Sequence, residues 1–378
     1  MQSSAVKTSR EARVRATRSA AIRETRPEDY DRIAALHRRN GLSIPPFEHW
    51  IGLWTGNPAY SPEDVPLGWV LETERGEIAG SVGNLPLAYE FRGRALTAAT
   101  AYGWVVDEAY RSYSVMILSR FLRQSGVDLF VFTTVGDKAE PIYSAGFQLS
   151  RVPVGAWNRS AFWITNYRGF SRSLLNRRGT PFAGAMRSCL ALGFCLWDRW
   201  HGRSIPAAAH EYRVEFCSEF DRRFDDFWET LRRENPHLLA VRNRETLEWH
   251  FRGARPSILA IFQGSRMVAY AIFSRQDNSA LDFERIRFVD FQALEGHSAA
   301  VSTALQWMLR RCRRDGLDAL EVMGDWLHRT GLPRIDPPYR RTLSSWTFYY
   351  KAADPELAEA LRDPAAWIPS SFDGDASL

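Results

Sequence analysis

The run VVDEAYRSYSVMILSRFL, residues 105–122, passes from an apolar strand through a single arginine into an amphipathic helix. Val105 and Val106 end the strand, and Val115, Met116, Ile117, Leu118, Phe121 and Leu122 then recur at helical spacing. A strand that turns straight into a helix leaves up to four backbone amides without intrahelical partners. They sit at the positive end of the helix dipole, so the turn favours an anion. Phosphate-binding turns of this kind are rich in glycine, because the backbone has to approach the phosphates closely. Here the turn reads Arg111, Ser112, Tyr113, Ser114, Val115, Met116.

Working outward, Ile22 and Arg23 predict a short strand, and Pro27 opens a helix with an apolar stripe of Tyr30, Ile33, Ala34 and Leu36. PPFEHWIGLWTGNP (45–58) predicts a second, aromatic helix. A three-stranded meander over 67–106 follows, with turns at Glu74-Arg75-Gly76 and Arg92-Gly93-Arg94. After the opening stretch, GVDLFVFTT (126–134) reads as a buried strand, KAEPIYSAGF (138–147) as a short helix into a turn, and 152–167 as late strand material.

The second half repeats this plan. The 220–235 segment matches the first helix, 257–275 the hairpin, 285–294 the third strand of the meander, and 299–323 the helix and the following strand. Ile78 aligns with Met267 and Gly126 with Gly316, which predicts an ancient duplication. Helices, an antiparallel meander and then strand–helix–strand units give an α/β order. The expected organisation is a tail over 1–20, a first lobe over 21–178, a linker over 179–210, a second lobe over 211–355 and a tail over 356–378.

Composition narrows the class. Hydrophobic residues make up 45% and aromatics 13% of the 378 residues, a globular balance. The net charge is +5, but basic residues are dispersed, and all except Lys7, Lys138 and Lys351 are arginine. That bias reads as coding drift in a GC-rich bacterial genome, and no nucleic-acid partner is expected. Four cysteines without CxxC pairing or histidine partners point to reduced thiols in the cytoplasm and to no metal. No run is long enough to span a membrane. The apolar stretch 182–197 has two readings. One is a helix packed between two domains, preferred here; the other is a peripheral membrane contact flanked by arginines and tryptophans.

The stretch 105–122, followed by FVFTTVGDKAEPIYSAGF (130–147), resembles the GNAT superfamily of acyl-CoA-dependent N-acyltransferases. The resemblance implies two tandem GNAT-like lobes, each a mixed, mainly antiparallel twisted sheet flanked by helices. It implies acetyl-CoA or another acyl-CoA as co-substrate and a small amine as acceptor, such as an amino sugar of surface polysaccharide. Carried onto this sequence, Arg111 takes the leading arginine of the pyrophosphate loop, Ser114 the first glycine and Met116 the last. Met116 thus brings a side chain to a place where the backbone should meet phosphate. The loop implied for the cofactor comprises Val105, Val106 and Arg111 through Met116. Tyr143 takes the place of the tyrosine that protonates the departing thiolate, although only Ser144 and Ala145 separate it from Gly146. The amine's proton would leave through water relayed by Glu108 or Tyr102, and the Val106 amide would polarise the carbonyl.

The aromatic second helix offers Glu48, His49, Trp50 and Trp54, with Tyr102, as an acceptor site in which tryptophans stack on a sugar; core packing of the same tryptophans is the plainer reading. The second half carries ALEGHSAAV (293–301) at the corresponding loop, so it is expected to be degenerate. Asp290 and the terminal FDGDASL are read as solvated carboxylates rather than metal ligands. Two other functions fit the same pattern. They are an aminoacyl-tRNA-dependent peptidyl transferase, also built of paired GNAT lobes, and a binding protein that has lost its chemistry.

Overall fold

The computed structural model describes residues 19–155, 157–178, 183–201, 211–324, 332–333, 335–343 and 346–378. The N-terminal tail up to residue 18 and residues 179–182 and 202–210 of the linker lie outside this set. The chain divides into two compact units, the first built from residues up to 54, 61–85 and 101–125, the second from the remainder.

The first unit holds β1 (Ala20–Glu24), α1 (Tyr30–Arg39), α2 (Phe47–Thr55), β2 (Gly68–Thr73), most of β3 (Ile78–Phe91) and of β4 (Arg94–Val106), and α3 (Ser114–Leu122). β1 runs antiparallel to β2, from Ala20↔Thr73 to Glu24↔Trp69, and β2 antiparallel to β3. The sequence places apolar residues at helical spacing, and those are the ones buried: Ile33 and Leu36 of α1, Trp50, Leu53 and Trp54 of α2, and Ile117, Leu118 and Phe121 of α3.

β3 and β4 continue into the second unit, which adds β5 (Leu129–Val135), β6 (Ser150–Arg151), β7 (Arg159–Ile164), α4 (Tyr167–Arg178) and α5 (Ala183–His201). Then follow β8 (Arg213–Cys217), α6 (Arg222–Glu234), β9 (Leu239–Ala240), α7 (Arg244–His250), β10 (Ser257–Gln263), β11 (Arg266–Arg275) and β12 (Arg285–Ala293). The last elements are α8 (Ala300–Arg314), β13 (Ala319–Met323), β14 (Tyr339–Thr342), β15 (Thr347–Ala352) and α9 (Pro355–Ala360). One sheet of this unit runs β14-β7-β13-β12-β11-β10-β8. Its core lies under α8, where Ala304, Leu305 and Met308 meet Leu259, Ile261 and Phe288.

The duplication is visible element by element. β10, β11, β12, α8 and β13 follow in the order of β2, β3, β4, α3 and β5. Both hairpins turn on a glycine of positive φ, Gly76 and Gly264, as do both approaches to the later strand, Gly126 and Gly316. Each half contains one parallel pair. β12 and β13 pair from Arg285↔Ala319 to Phe288↔Val322, whereas the β4–β5 ladder covers Ala98↔Leu129 and Ala99↔Phe130 among the described residues.

Two strands cross between the halves. β7, from the first half of the chain, pairs antiparallel with β13, and β15, from the second, pairs antiparallel with β5. α5 packs along α4 on one side through Ala191 and Phe194, while Leu192, Leu196 and Trp200 face outward, the last 88% exposed. The packing seen is that of α5 against α4, within the second unit. No helix among the described residues is long and apolar enough to cross a membrane.

Candidate active site

In the first unit β4 ends at Val106 and Asp107 starts a 3-10 turn, Glu108–Tyr113, that runs directly into α3. Asp107 is fixed from three sides. Arg39 donates to it through Nε at 3.0 and 3.1 Å, Asn40 donates at 2.8 Å, and its own amide donates to Ala79 at 2.8 Å. The turn replaces an open glycine loop and consumes one amide of the helix start, since the Ser114 N–H donates to the Arg111 carbonyl. No side chain caps the N-terminus of α3. Arg111, Ser112 and Glu108 are exposed and Tyr113 and Ser114 half-buried around that end. Met116, expected to crowd the approach, is 54% exposed, on the opposite side of α3 from buried Ile117, Leu118 and Phe121.

The acceptor platform expected on α2 is corrected by burial. Trp50 and Trp54 lie in a ring cluster with Tyr30 and Phe47, and Trp54 Nε1 donates to the Asn84 carbonyl at 2.6 Å. With Tyr102 they border a crevice of only about 20 Å³, room for a water but not for a sugar ring. They are core residues with no face free for a sugar; Glu48 and His49 are exposed on the same helix. Sequence reasoning gave His37 no role. Its buried ring lies against Gly103, where any Cβ would come within 2.9 Å and φ is +60°. Burial lowers its pKa, partly offset by a hydrogen bond with the Gly103 backbone.

The second unit holds a polar cluster that the sequence reading missed. Arg242, just after β9, is buried and donates through Nε to Asp290 Oδ2 at 2.8 Å and through Nη2 to Ser370 Oγ at 3.3 Å. Tyr270 donates to Asp290 at 3.1 Å, Gln292 donates to its other oxygen at 3.2 Å, and Tyr89 donates to Asp373 at 3.1 Å. Burial opposes the charge on Asp290, but Arg242 outweighs it and holds the carboxyl below its ordinary range. The C-terminal segment, read as solvated, is thus corrected as well: Ser370–Asp373 is buried among these groups. Gly374 (φ +61°) lets it lie against β5, because a Cβ there would stand 2.7 Å from the Thr133 methyl. Asp375 then accepts from Thr133 at 2.6 Å and from Thr134 at 3.1 Å, and its carboxyl is raised by burial.

Tyr143 sits in the π-helical turn Ile142–Gly146, with Phe132 edge-on at 4.9 Å and Tyr349 at 6.0 Å. Burial, with the nearby Asp375, pushes its phenol well above the ordinary range, so it keeps its proton. Beside the C-terminal segment is a cleft of about 270 Å³ lined by Asn57, Leu87, Tyr89, Trp249, His250 and Phe372. His250 stacks on Phe372 at 4.2 Å, and its Nε2 lies 2.7 Å from Ser377 Oγ.

Burial pulls the His250 pKa down to about 3. Below pH ~6.5 the unfolded chain takes up a proton that the folded chain refuses, so stability falls as pH drops through that window, by up to about 1.4 kcal/mol per pH unit. His250→Gln should flatten the fall in Tm between about pH 6.5 and 4; an unchanged slope would assign the acid sensitivity to other groups.

A meander, one parallel strand pair joined through α3, and the same order repeated after the linker define the fold of the GNAT N-acyltransferases, in tandem and with exchanged strands. The chain is similar in structure to a GCN5-related N-acetyltransferase from Anabaena variabilis, with a TM-score of 0.54, 12% identity, and coverage of 89% of this chain and 73% of that one. It is similar also to a probable N-acyltransferase from Enterococcus faecalis, with a TM-score of 0.53, 9% identity, and coverage of 88% and 72%. Saccharomyces cerevisiae N-myristoyltransferase, solved with bound myristoyl-CoA, gives 0.50 at 9% identity over 88% and 82%. No protein-family model and no curated protein sequence matches the chain.

Proposed function

We propose that the protein is an acyl-CoA-dependent N-acyltransferase that transfers an acyl group, acetyl in the simplest case, to a small amine. The observation that carries this reading is the join of β4 to α3. There Arg111 and two serines stand around a helix start that no side chain caps, which supports a pyrophosphate at that end, and Met116 is exposed on the same helix. The tandem GNAT fold supports it.

In the reaction the neutral amine attacks the thioester carbonyl, a C–N bond forms and the C–S bond breaks. The amine sheds a proton to solvent, with Glu108 as the candidate to relay it, and the CoA thiolate takes one from the candidate acid Tyr143, which solvent then reprotonates. The Val106 amide at the end of β4 is the candidate donor to the carbonyl oxygen. The acceptor in this reading is a small amine, such as an amino sugar.

Acetyl-CoA and longer acyl-CoAs titrated calorimetrically should bind, and Arg111→Ala should weaken binding about 10-fold, the loss of one charge-assisted contact. Its exposed side chain leaves the Tm unmoved. If no acyl-CoA binds the unaltered protein, or the variant binds equally well, the reading falls.

A further inference from the structure

The sheet around β13 has one apolar face and one charged face. Ile286, Phe288, Leu320, Val322, Ala161 and Trp163 belong to the core under α8. Strand alternation then sends Arg285 and Arg287 of β12, Glu321 of β13, Ser160 and Phe162 of β7 and Arg341 of β14 to the other side. That side is not simply open to water. Phe170 of α4 lies over it, its ring 5.7 Å from Phe162 and 6.0 Å from Phe283.

Three guanidinium groups meet there on one carboxylate. Arg287 donates to Glu321 Oε2 through Nε and Nη2, each at 3.2 Å, and Arg285 Nη1 stands 3.1 Å from the same oxygen. Arg341 donates to Oε1, as does Ser160. The other carboxylate that attracts Arg285, Asp277, accepts from Arg275 at 2.6 Å. Arg340 pairs with Asp336, and Arg177 of α4 is exposed. Burial draws Arg285 and Arg287 below the ordinary arginine range in spite of Glu321. Three cations against one buried anion leave a surplus of positive charge on a partly desolvated face, an arrangement that costs stability unless a further anion arrives.

There is room for one. A cavity of about 270 Å³ opens among Arg177, Arg285, Arg340, Arg341, Phe170 and Phe283. Arginine forks match oxyanions bidentately, and aromatic faces accept a flat ring. We propose that this cavity of the second half, distinct from the acyl-CoA loop of the first, binds a small oxyanion carried on a flat ring. Arg285 and Arg341 hold the oxyanion, and Phe170 and Phe283 cover the ring.

Calorimetric titration with adenosine 5′-monophosphate, inorganic phosphate and adenosine separates the two contributions. The monophosphate should bind at least about 10-fold more tightly than phosphate, and adenosine most weakly. Arg341→Gln should lose at least about 10-fold for the monophosphate. Should that variant melt early, Arg177→Gln, at an exposed position, is read instead, with an expected loss of about 3-fold. Arg111→Ala should leave this binding unchanged. Absence of binding at millimolar monophosphate and phosphate, equal affinity in the folded variants, or loss of binding in Arg111→Ala would each overturn the assignment. The last result would move the ligand to α3, whereas a failure confined to Arg341 leaves the acyl-CoA reading standing.

Discussion

Asp290→Ala is expected to lower the stability of the protein by about 3–5 kcal/mol, the range found when one partner of a buried ion pair is removed. The variant leaves the Arg242 guanidinium in the interior with only the Ala240 carbonyl, Ser370 and the more distant Asp373 around it. Tyr270 and Gln292 lose their acceptor at the same time. Urea denaturation monitored by tryptophan fluorescence reads the change. The double variant Arg242→Met/Asp290→Leu should recover much of the loss, because an apolar pair of similar volume carries no unpaired charge. A loss below about 1 kcal/mol in the single variant would mean that water reaches the pair and that the C-terminal segment is held by packing alone.

Tyr143→Phe should reduce kcat for acyl transfer by about 10²-fold, the lower end of what a positioned proton donor supplies. The ring contacts with Phe132 and Tyr349 survive the substitution, and kcat is read beside the affinity of the same folded variant for acyl-CoA. A drop in kcat with unchanged binding identifies the phenol as the donor to the departing thiolate. An unchanged kcat would assign that proton to water and leave Tyr143 a packing residue.

The local architecture was legible because it is written in local periodicity. The meander, the helix after Arg111 and the repeated hairpin all follow from alternation, helical stripes and turn glycines over short windows. What escaped depends on distant pairings. Arg242 in AVRNRE reads as one more solvated arginine, and nothing near it announces Asp290, Ser370 and Asp373. The terminal FDGDASL looks solvated because it is short and polar, yet Gly374 and two threonines of β5 give it a berth. The α2 tryptophans went the other way: their spacing suited both a platform and a core stripe, and only their burial against Asn84 decides for the core. Within the loop after β4, the sequence located the turn, but its 3-10 geometry and the outward rotation of Met116 are tertiary outcomes.

The exchange of β7 and β15 imposes a timetable on synthesis. β5 leaves the ribosome roughly 200 residues ahead of β15, the strand that covers its edge, an interval on the order of ten seconds or more at ordinary elongation rates. β7 likewise waits for β13. Neither half can complete its sheet as it emerges, so the nascent chain carries open strand edges until the last strands arrive. Such edges are templates for mispairing, and pairings this distant in sequence are slow to form. The duplication that built the fold has therefore bound the fate of its first copy to the end of its second.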